Sequence, residues 1–393
     1  MRRPLYSQLP FYPYPTWYPS SPYSVPSLFG YDGSSRYQVN GSVRNRPVTT
    51  AYPGSSLATE RQTEDQIDIF YVDDQGRVNV MWVVGTGAWQ GPVTLTGPNF
   101  APPGAALATE RQTADQIDLF VVDNQGRVNV MWVVGTGPWH PPVALTGPNF
   151  APPGAALATE RQTMNQIDLF VVDNQGRVNV MWVVGTEPWH APVALTGPNF
   201  TKPGAHLATE RQTADQIDLF VVDNQGRVNV MWVVGTEPWH PPIALTGPNF
   251  TKPGAHLATE RQTPHQIDLF VADNFGRVNV MWVVGTGAWQ GPVALTGSVA
   301  FDGVFATERQ TMNQIDLFFV DSQGRINVMW VVGTGAWQGP VALTGQDFAL
   351  PGASLATERQ AGNQIDLFVV DNQGRVNVMW VVGTEAWQGP VAL

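Results

Sequence analysis

The string Ala-Thr-Glu-Arg-Gln occurs seven times in this chain, with its first Ala at 58, 108, 158, 208, 258, 306 and 356. Copies stand 50 residues apart, except for 48 between the fifth and the sixth. A period near 50 residues signals one supersecondary unit stacked many times, as in a propeller or a solenoid. Such a unit is too small to bury its own apolar face, so each copy must lean on its neighbours. The repeats begin near 57, 107, 157, 207, 257, 305 and 355, and the repeated region runs from about 46 to 393.

Within a repeat the elements read as short strands. In the second copy Leu107 to Gln112 is strand-like and Thr113 to Asp115 is a turn. Ile117 to Val122 is β-branched and aromatic, and Val128 to Val134 forms a third run. Between them, Asp123-Asn124-Gln125-Gly126 reads as a tight turn, with the glycine supplying positive φ. A loop from Gly135 to Pro142 leads to a fourth strand at Val143 to Thr146. No segment keeps a 3.6-residue period over ten residues. Ile117, Leu119 and Val121 occupy one face of the second strand, Phe120 and Val122 the other. A sheet apolar on both faces suits stacked blades rather than a one-sided sandwich. The fold expected is therefore all-β, a seven-bladed β-propeller of four-stranded antiparallel blades. Pro47-Val48-Thr49-Thr50 has the pattern of the outer strands, and Val391-Ala392-Leu393 is an outer strand as well. That makes eight candidates for seven blades. The first either completes the last blade or is left over.

Residues 1–45 differ in chemistry. Eight of the nine tyrosines lie before position 57, together with five Arg and one Asp. A Pro/Tyr/Ser stretch without periodicity cannot bury a core, so it is expected to be an extended or disordered N-terminal tail. An attachment arm is the alternative reading. The net charge of −11 argues against nucleic acid or an anionic membrane as partner. The absence of cysteine excludes disulfides and thiolate chemistry. No apolar run is long enough for a signal peptide or a spanning helix, so a soluble chain without membrane insertion is expected. The compartment and any homo-oligomer stay open.

The repeats carry no catalytic constellation: no Ser/His/Asp set, no metal-spaced histidines and no phosphate loop. No enzyme activity, cofactor or metal is expected. His140, His190 and His240 each follow a loop tryptophan, and with His206, His256 and His265 they read as scattered surface groups. Asp123 belongs to turn chemistry, because a four-residue turn offers too few oxygens for calcium. Asp118 and its copies Asp68, Asp168, Asp218, Asp268, Asp316 and Asp366 sit in an apolar strand, and a buried carboxylate needs a partner. They read as a polar bridge that holds strand or blade register, with ligand contact as the alternative.

Two sets are candidates for ligand binding. The first is the adjacent pair closing the first strand: Glu60/Arg61, Glu110/Arg111, Glu160/Arg161, Glu210/Arg211, Glu260/Arg261, Glu308/Arg309 and Glu358/Arg359. Adjacent strand residues face opposite ways, so Glu of one blade can meet Arg of the next. These groups either lock the ring as salt bridges or grip the hydroxyls of a ligand. The second set is the loop tryptophans Trp89, Trp139, Trp189, Trp239, Trp289, Trp337 and Trp387. Each is either a platform for the apolar face of a sugar or a wedge against the next blade. The other tryptophan, Trp132, alternates with Val130 and Val134 and is expected in the core.

The run Ile-Asp-Leu-Phe-Val-Val-Asp-Asn-Gln-Gly-Arg-Val-Asn-Val-Met-Trp, followed by a short loop, Trp and Gly-Pro-Val-Ala-Leu, resembles the repeat of the Photorhabdus-type seven-bladed propeller lectins. The resemblance covers residues 57–393. It implies binding of fucose or O-methylated sugars between blades or near the rim, through aromatic rings and polar side chains. Valine-rich third strands and the Thr-Glu-Arg ending depart from that family's pattern. The function expected is a lectin-like multivalent binder of glycans with up to seven similar sites between blades. A structural or coat protein, an inert propeller with an attachment tail, is the alternative.

Overall fold

The computed structural model describes residues 50–299 and 303–393. The tail expected over residues 1–45 lies outside the described residues. The described residues form seven antiparallel sheets of four consecutive strands. In the second blade these are Leu107–Arg111, Gln116–Val122, Val128–Val134 and Val143–Ala144. The first strand of each blade packs beside the first strands of its two neighbours, and the first blade sits beside the last. The result is a closed seven-bladed β-propeller.

Each blade is folded by its own turn. Asp123 accepts the N–H groups of Gln125 at 2.8 Å and Arg127 at 2.9 Å on Oδ1. Its Oδ2 accepts Arg127 Nε at 2.7 Å and Asn129 Nδ2 at 3.0 Å. The carboxylate is thus filled by donors from its own hairpin. Gly126 has φ 71°, and a Cβ there would lie 2.5 Å from the Ala151 carbonyl. Burial works to raise the Asp123 pKa, but the bonds from Arg127, Asn129 and Gln125 outweigh it and hold the group below its usual range. Replacing Asp123 by Ala orphans several of these donors at once. The expected cost is about 1–3 kcal/mol in urea unfolding, and a loss below about 0.5 kcal/mol, the level of a neutral surface change, would refute this account.

The two apolar faces of a blade serve two different cores. Ile117, Leu119 and Val121 pack with Phe70, Val72, Val78 and Val80 of the first blade. Phe120 and Val122 pack with Ile167, Leu169 and Val171 of the third. All of the named second-strand residues are fully buried, as double-sided burial requires.

Three inter-blade contacts repeat around the ring. Thr109 Oγ1 donates to the Thr59 carbonyl at 2.9 Å, and each first strand does the same to the blade before it. Thr59 completes the circle by donating to Thr357 at 2.8 Å. Gln112 Nε2 donates to the Gly185 carbonyl of the following blade, and Gln360 reaches Gly85 across the junction of last and first blades. The loop tryptophan of each blade meets a phenylalanine of the blade before it, as Trp139 meets Phe70.

The last blade supplies its own outer strand, Gln388–Ala392, paired with Val376–Val382. Thr50 and Ala51 contact both ends of the ring: Asp74 N–H donates to Thr50 O and Ala51 bridges to Asp73 of the first blade, while Ala51 also packs with Phe368, Val370 and Val376 of the last. The ring therefore closes on repeated side-by-side packing of the first strands, and residues 47–49 of the other outer-strand candidate lie outside the described residues.

Candidate functional site

Blades arranged radially touch at their inner strands and diverge outward. The divergence leaves crevices between them. The crevice between the fifth and sixth blades has a volume of about 280 Å³. The fifth blade lines it with Gln262, Gln266, Asp268, Val280, Trp282, Val293 and Leu295. The sixth contributes Val331, Gly333, Thr334, Gly335 and Trp337.

Strand register explains this grouping. Asp268 lies directly across from Trp282, and Trp282 across from Gln290. Directly opposed residues share one face of a sheet, so these three side chains point the same way. Gln266 Nε2 donates to Asp268 Oδ1 at 2.7 Å and to Gln262 Oε1 at 2.7 Å. Gln262 Nε2 then donates to the Gly333 carbonyl of the sixth blade. This chain of amides bridges one blade to the tryptophan loop of the next. The aspartate set is therefore the inter-blade polar bridge expected from its buried position, and it also lines the crevice. Burial pushes the Asp268 pKa up to about 6, against the bond from Gln266. Among the described residues Asp268 accepts one hydrogen bond, on Oδ1, which leaves Oδ2 free for a ligand hydroxyl.

The two tryptophans play different parts. Trp337 stands edge-on to Phe270 of the fifth blade, with centroids 5.4 Å apart and planes at 82°. The same T-shaped contact recurs at Trp89–Phe368, Trp189–Phe120, Trp239–Phe170, Trp289–Phe220 and Trp387–Phe318. Loop tryptophans are thus half-buried between blades, and Trp337 also walls the crevice. Trp132, expected in the core, is half-buried as well. Its copy Trp282 lines the crevice. The reason is the divergence of the blades: alternation on a strand marks a face, but that face is only partly covered far from the axis. Strand tryptophans and the two glutamines are the crevice residues that pattern reasoning missed. The signal was the presence of both glutamines in all seven repeats.

The glutamates and arginines are brought together elsewhere. They end the first strand, whose Leu57, Ala58 and Thr59 and their copies line the central channel. Glu60 lies beside Glu358 and Arg111, and Glu110 beside Glu60, Glu160 and Arg161. Glu of one blade does face Arg of the next. Among the described residues, however, no member of this set closes to an ion pair with another; the aspartate–arginine pairs are those of the turns, such as Arg127–Asp123 at 2.7 Å.

The arginines turn instead to the first turn of their own blade. Arg111 Nη2 donates to the carbonyl of Ala114 at 2.6 Å, and Arg161 Nη2 to that of Met164 at 2.7 Å. Arg211 does the same to Ala214 at 2.7 Å, and Arg359 to Gly362 at 2.5 Å. The salt-bridge lock weighed for Glu210/Arg211, Glu358/Arg359 and their copies is therefore replaced by a contact inside each blade. The physical reason is reach: the carbonyl three residues along the same hairpin fills Nη2 before any carboxylate of a neighbouring blade. Among the described residues, Nε of Arg61, Arg111, Arg261 and Arg309 is buried without a hydrogen-bond partner. Burial and the neighbouring carboxylate raise Glu60 and Glu210 to about 8, while burial raises Glu160 to about 7. Neither Glu260 nor Arg309 belongs to the crevice lining between their blades.

The histidines are less scattered than their spacing suggests. His206 and His256 stack with centroids 3.2 Å apart, because positions one repeat apart become neighbours on the ring. Burial lowers the pKa of His206 to about 4.

The described residues form a closed ring of seven like blades, with an aromatic and acidic crevice between the fifth and the sixth. The BP39L lectin from Burkholderia pseudomallei superposes on it with a TM-score of 0.84 at 39% identity, over 87% of this chain and 100% of that one. The chain belongs to the same family of β-propeller lectins. AofleA from Arthrobotrys oligospora (12% identity, 88% of each chain, TM-score 0.55) shares the fold alone. So does the fucose-specific lectin from Aleuria aurantia, at 14% identity over 88% of this chain and 97% of that one, TM-score 0.54. No protein-family model and no curated protein matches the chain. The Burkholderia pseudomallei and Aleuria aurantia proteins are both lectins. Among the described residues no helix is long and apolar enough to cross a membrane.

Proposed function

We propose that this chain binds carbohydrate at its inter-blade crevices, without catalysing a reaction, and that fucosides are among its ligands. The observation that carries the reading is the crevice beside Trp282, where aromatic surface adjoins the Asp268 carboxylate and two glutamine amides. A sugar ring has an apolar face for an indole and hydroxyls for a carboxylate, so both halves of the site have work. The family relationship and the fucose specificity of the Aleuria aurantia lectin support the same class of ligand. Each crevice is small, and a single-sugar site is weak. Repetition around the ring raises avidity for a multivalent glycan surface by ~10²–10⁴ where geometry permits.

The test is to change Asp68, Asp118, Asp168, Asp218, Asp268, Asp316 and Asp366 together to Asn. Asn keeps the shape and the bond from glutamine but lacks the charge. A hydrogen bond to a charged group is worth about 1.5–3 kcal/mol, so the Kd for methyl α-L-fucoside is expected to rise about 10- to 100-fold. Calorimetry gives the Kd, and circular dichroism confirms the fold. Unchanged affinity in a folded variant would remove the crevice as the site.

A further inference from the structure

The seven repeats are not alike, and one difference lies in the residue after the loop tryptophan. Blades one, five, six and seven carry Gln-Gly-Pro there, as in Gln90-Gly91-Pro92. Blades two, three and four carry His140-Pro141-Pro142, His190-Ala191-Pro192 and His240-Pro241-Pro242. In the glutamine blades the fourth strand spans five residues, such as Gln290–Ala294, and the glutamine lies across from the strand tryptophan. In the histidine blades it shrinks to two, such as Val143–Ala144. The His140 N–H still donates to the Trp132 carbonyl at 2.8 Å, so the histidine stands where the glutamine does in other blades.

The side chains behave differently from that shared position. Gln90, Gln290 and Gln338 turn their amides to the carbonyls of Ala88, Ala288 and Ala336. The histidines lie flat on the indoles. His140 stacks on Trp132 at 4.5 Å with planes 12° apart, His190 on Trp182 at 4.4 Å and 13°, and His240 on Trp232 at 4.4 Å and 14°. Trp132, Trp182 and Trp232 share inter-blade clusters with the loop tryptophans of the following blades, Trp189, Trp239 and Trp289. They therefore occupy the position that Trp282 holds in the crevice described above.

Resting on the carbohydrate reading, we propose that His140, His190 and His240 compete with the sugar for the tryptophan face. The propeller then has two classes of site: tight ones in the glutamine blades, where the indole is uncapped, and weak ones capped by histidine. An imidazole and a pyranose ring are of similar size and use the same face of the indole. One face holds one ring. A sugar entering a capped crevice must first displace the histidine, and losing an aromatic stack weakens binding by up to about tenfold.

The experiment compares the full chain with a variant carrying His140→Gln, His190→Gln and His240→Gln. Glutamine is already tolerated at this position in the other four repeats. Two readouts are taken: the number of tightly bound equivalents of methyl α-L-fucoside, and oxidative labelling of individual tryptophans by mass spectrometry. The variant is expected to gain three tight equivalents over the parent. Labelling of Trp132, Trp182 and Trp232 is expected to rise by about twofold as one ring face is uncovered. Equal numbers of tight equivalents in both proteins would overturn the proposal. If neither protein binds the fucoside, the carbohydrate reading fails by itself and labelling decides the stack. Faster labelling in the variant then supports the capped crevices, and unchanged labelling rejects them.

Discussion

Replacing all seven loop tryptophans by alanine is expected to unfold the ring, not merely to empty its crevices. Each of these rings is half-buried between two blades. Trp139, for example, packs on the apolar core shared by the first and second blades and meets Phe70 edge-on at 5.4 Å. Fully buried aromatic residues cost about 3–5 kcal/mol when cut to alanine, so a half-buried one costs about 2 kcal/mol. Seven such losses reach the whole stability of a typical domain, about 5–15 kcal/mol. A single Trp139→Ala variant should therefore melt a few degrees lower and keep its other crevices. The sevenfold variant should show no cooperative transition by circular dichroism. A sevenfold variant that melts close to the parent would mean that the rings are platforms and not wedges.

Stability is expected to fall as the pH rises from about 5 to about 8, contrary to what salt-bridged carboxylates would give. The cause is the circle of glutamates at the ends of the first strands. Burial, with each glutamate's neighbours on the ring, raises Glu60, Glu210 and Glu260 to about 8, from an ordinary value of 4.5. Between these limits the folded chain holds more protons than the unfolded one. Stability then declines with rising pH, because buried carboxylates must ionise against each other. Asp68, Asp118, Asp168, Asp218, Asp268 and Asp316, raised by burial to about 6 from 3.8, act in the same direction at the acid end of this range. The turn carboxylate of Asp123 works oppositely. It is lowered, and its contribution is lost only as the pH falls below the ordinary aspartate range. Urea unfolding at pH 5 and pH 8 measures the difference. Changing the seven glutamates to Gln should flatten it. A parent chain more stable at pH 8 than at pH 5 would contradict the reading.

The sequence alone determined the blade. Its period counted seven units, and Asp123 with Gly126 marked the hairpin that folds each one. Alternation along Ile117 to Val122 showed that both faces are covered. These features are local: they follow from side chains that alternate across a strand and from a turn that needs positive φ. Half of the crevice was legible in the same way. The loop tryptophans stood out beside proline and glycine, and Asp118 stood out as a carboxylate in an apolar strand.

Only the tertiary structure decided what meets across blades. The ring places residues one repeat apart side by side. Thr109 thereby finds Thr59, and His206 finds His256. Gln262, near the end of the first strand of one blade, reaches a glycine carbonyl 71 residues later. Distance from the axis then sorts the polar groups. The glutamates and arginines end the inner strand and gather around the channel, where blades are in contact. There Arg211 and Arg359 settle on carbonyls of their own turns, a choice that the Glu-Arg spacing could not reveal. Asp268 and Trp282 lie farther out, where blades part and leave room for a ligand. Alternation tells which face of a strand a residue takes. How far that face stands from its neighbour depends on the radius at which it lies in the closed ring, and no stretch of one repeat encodes that radius.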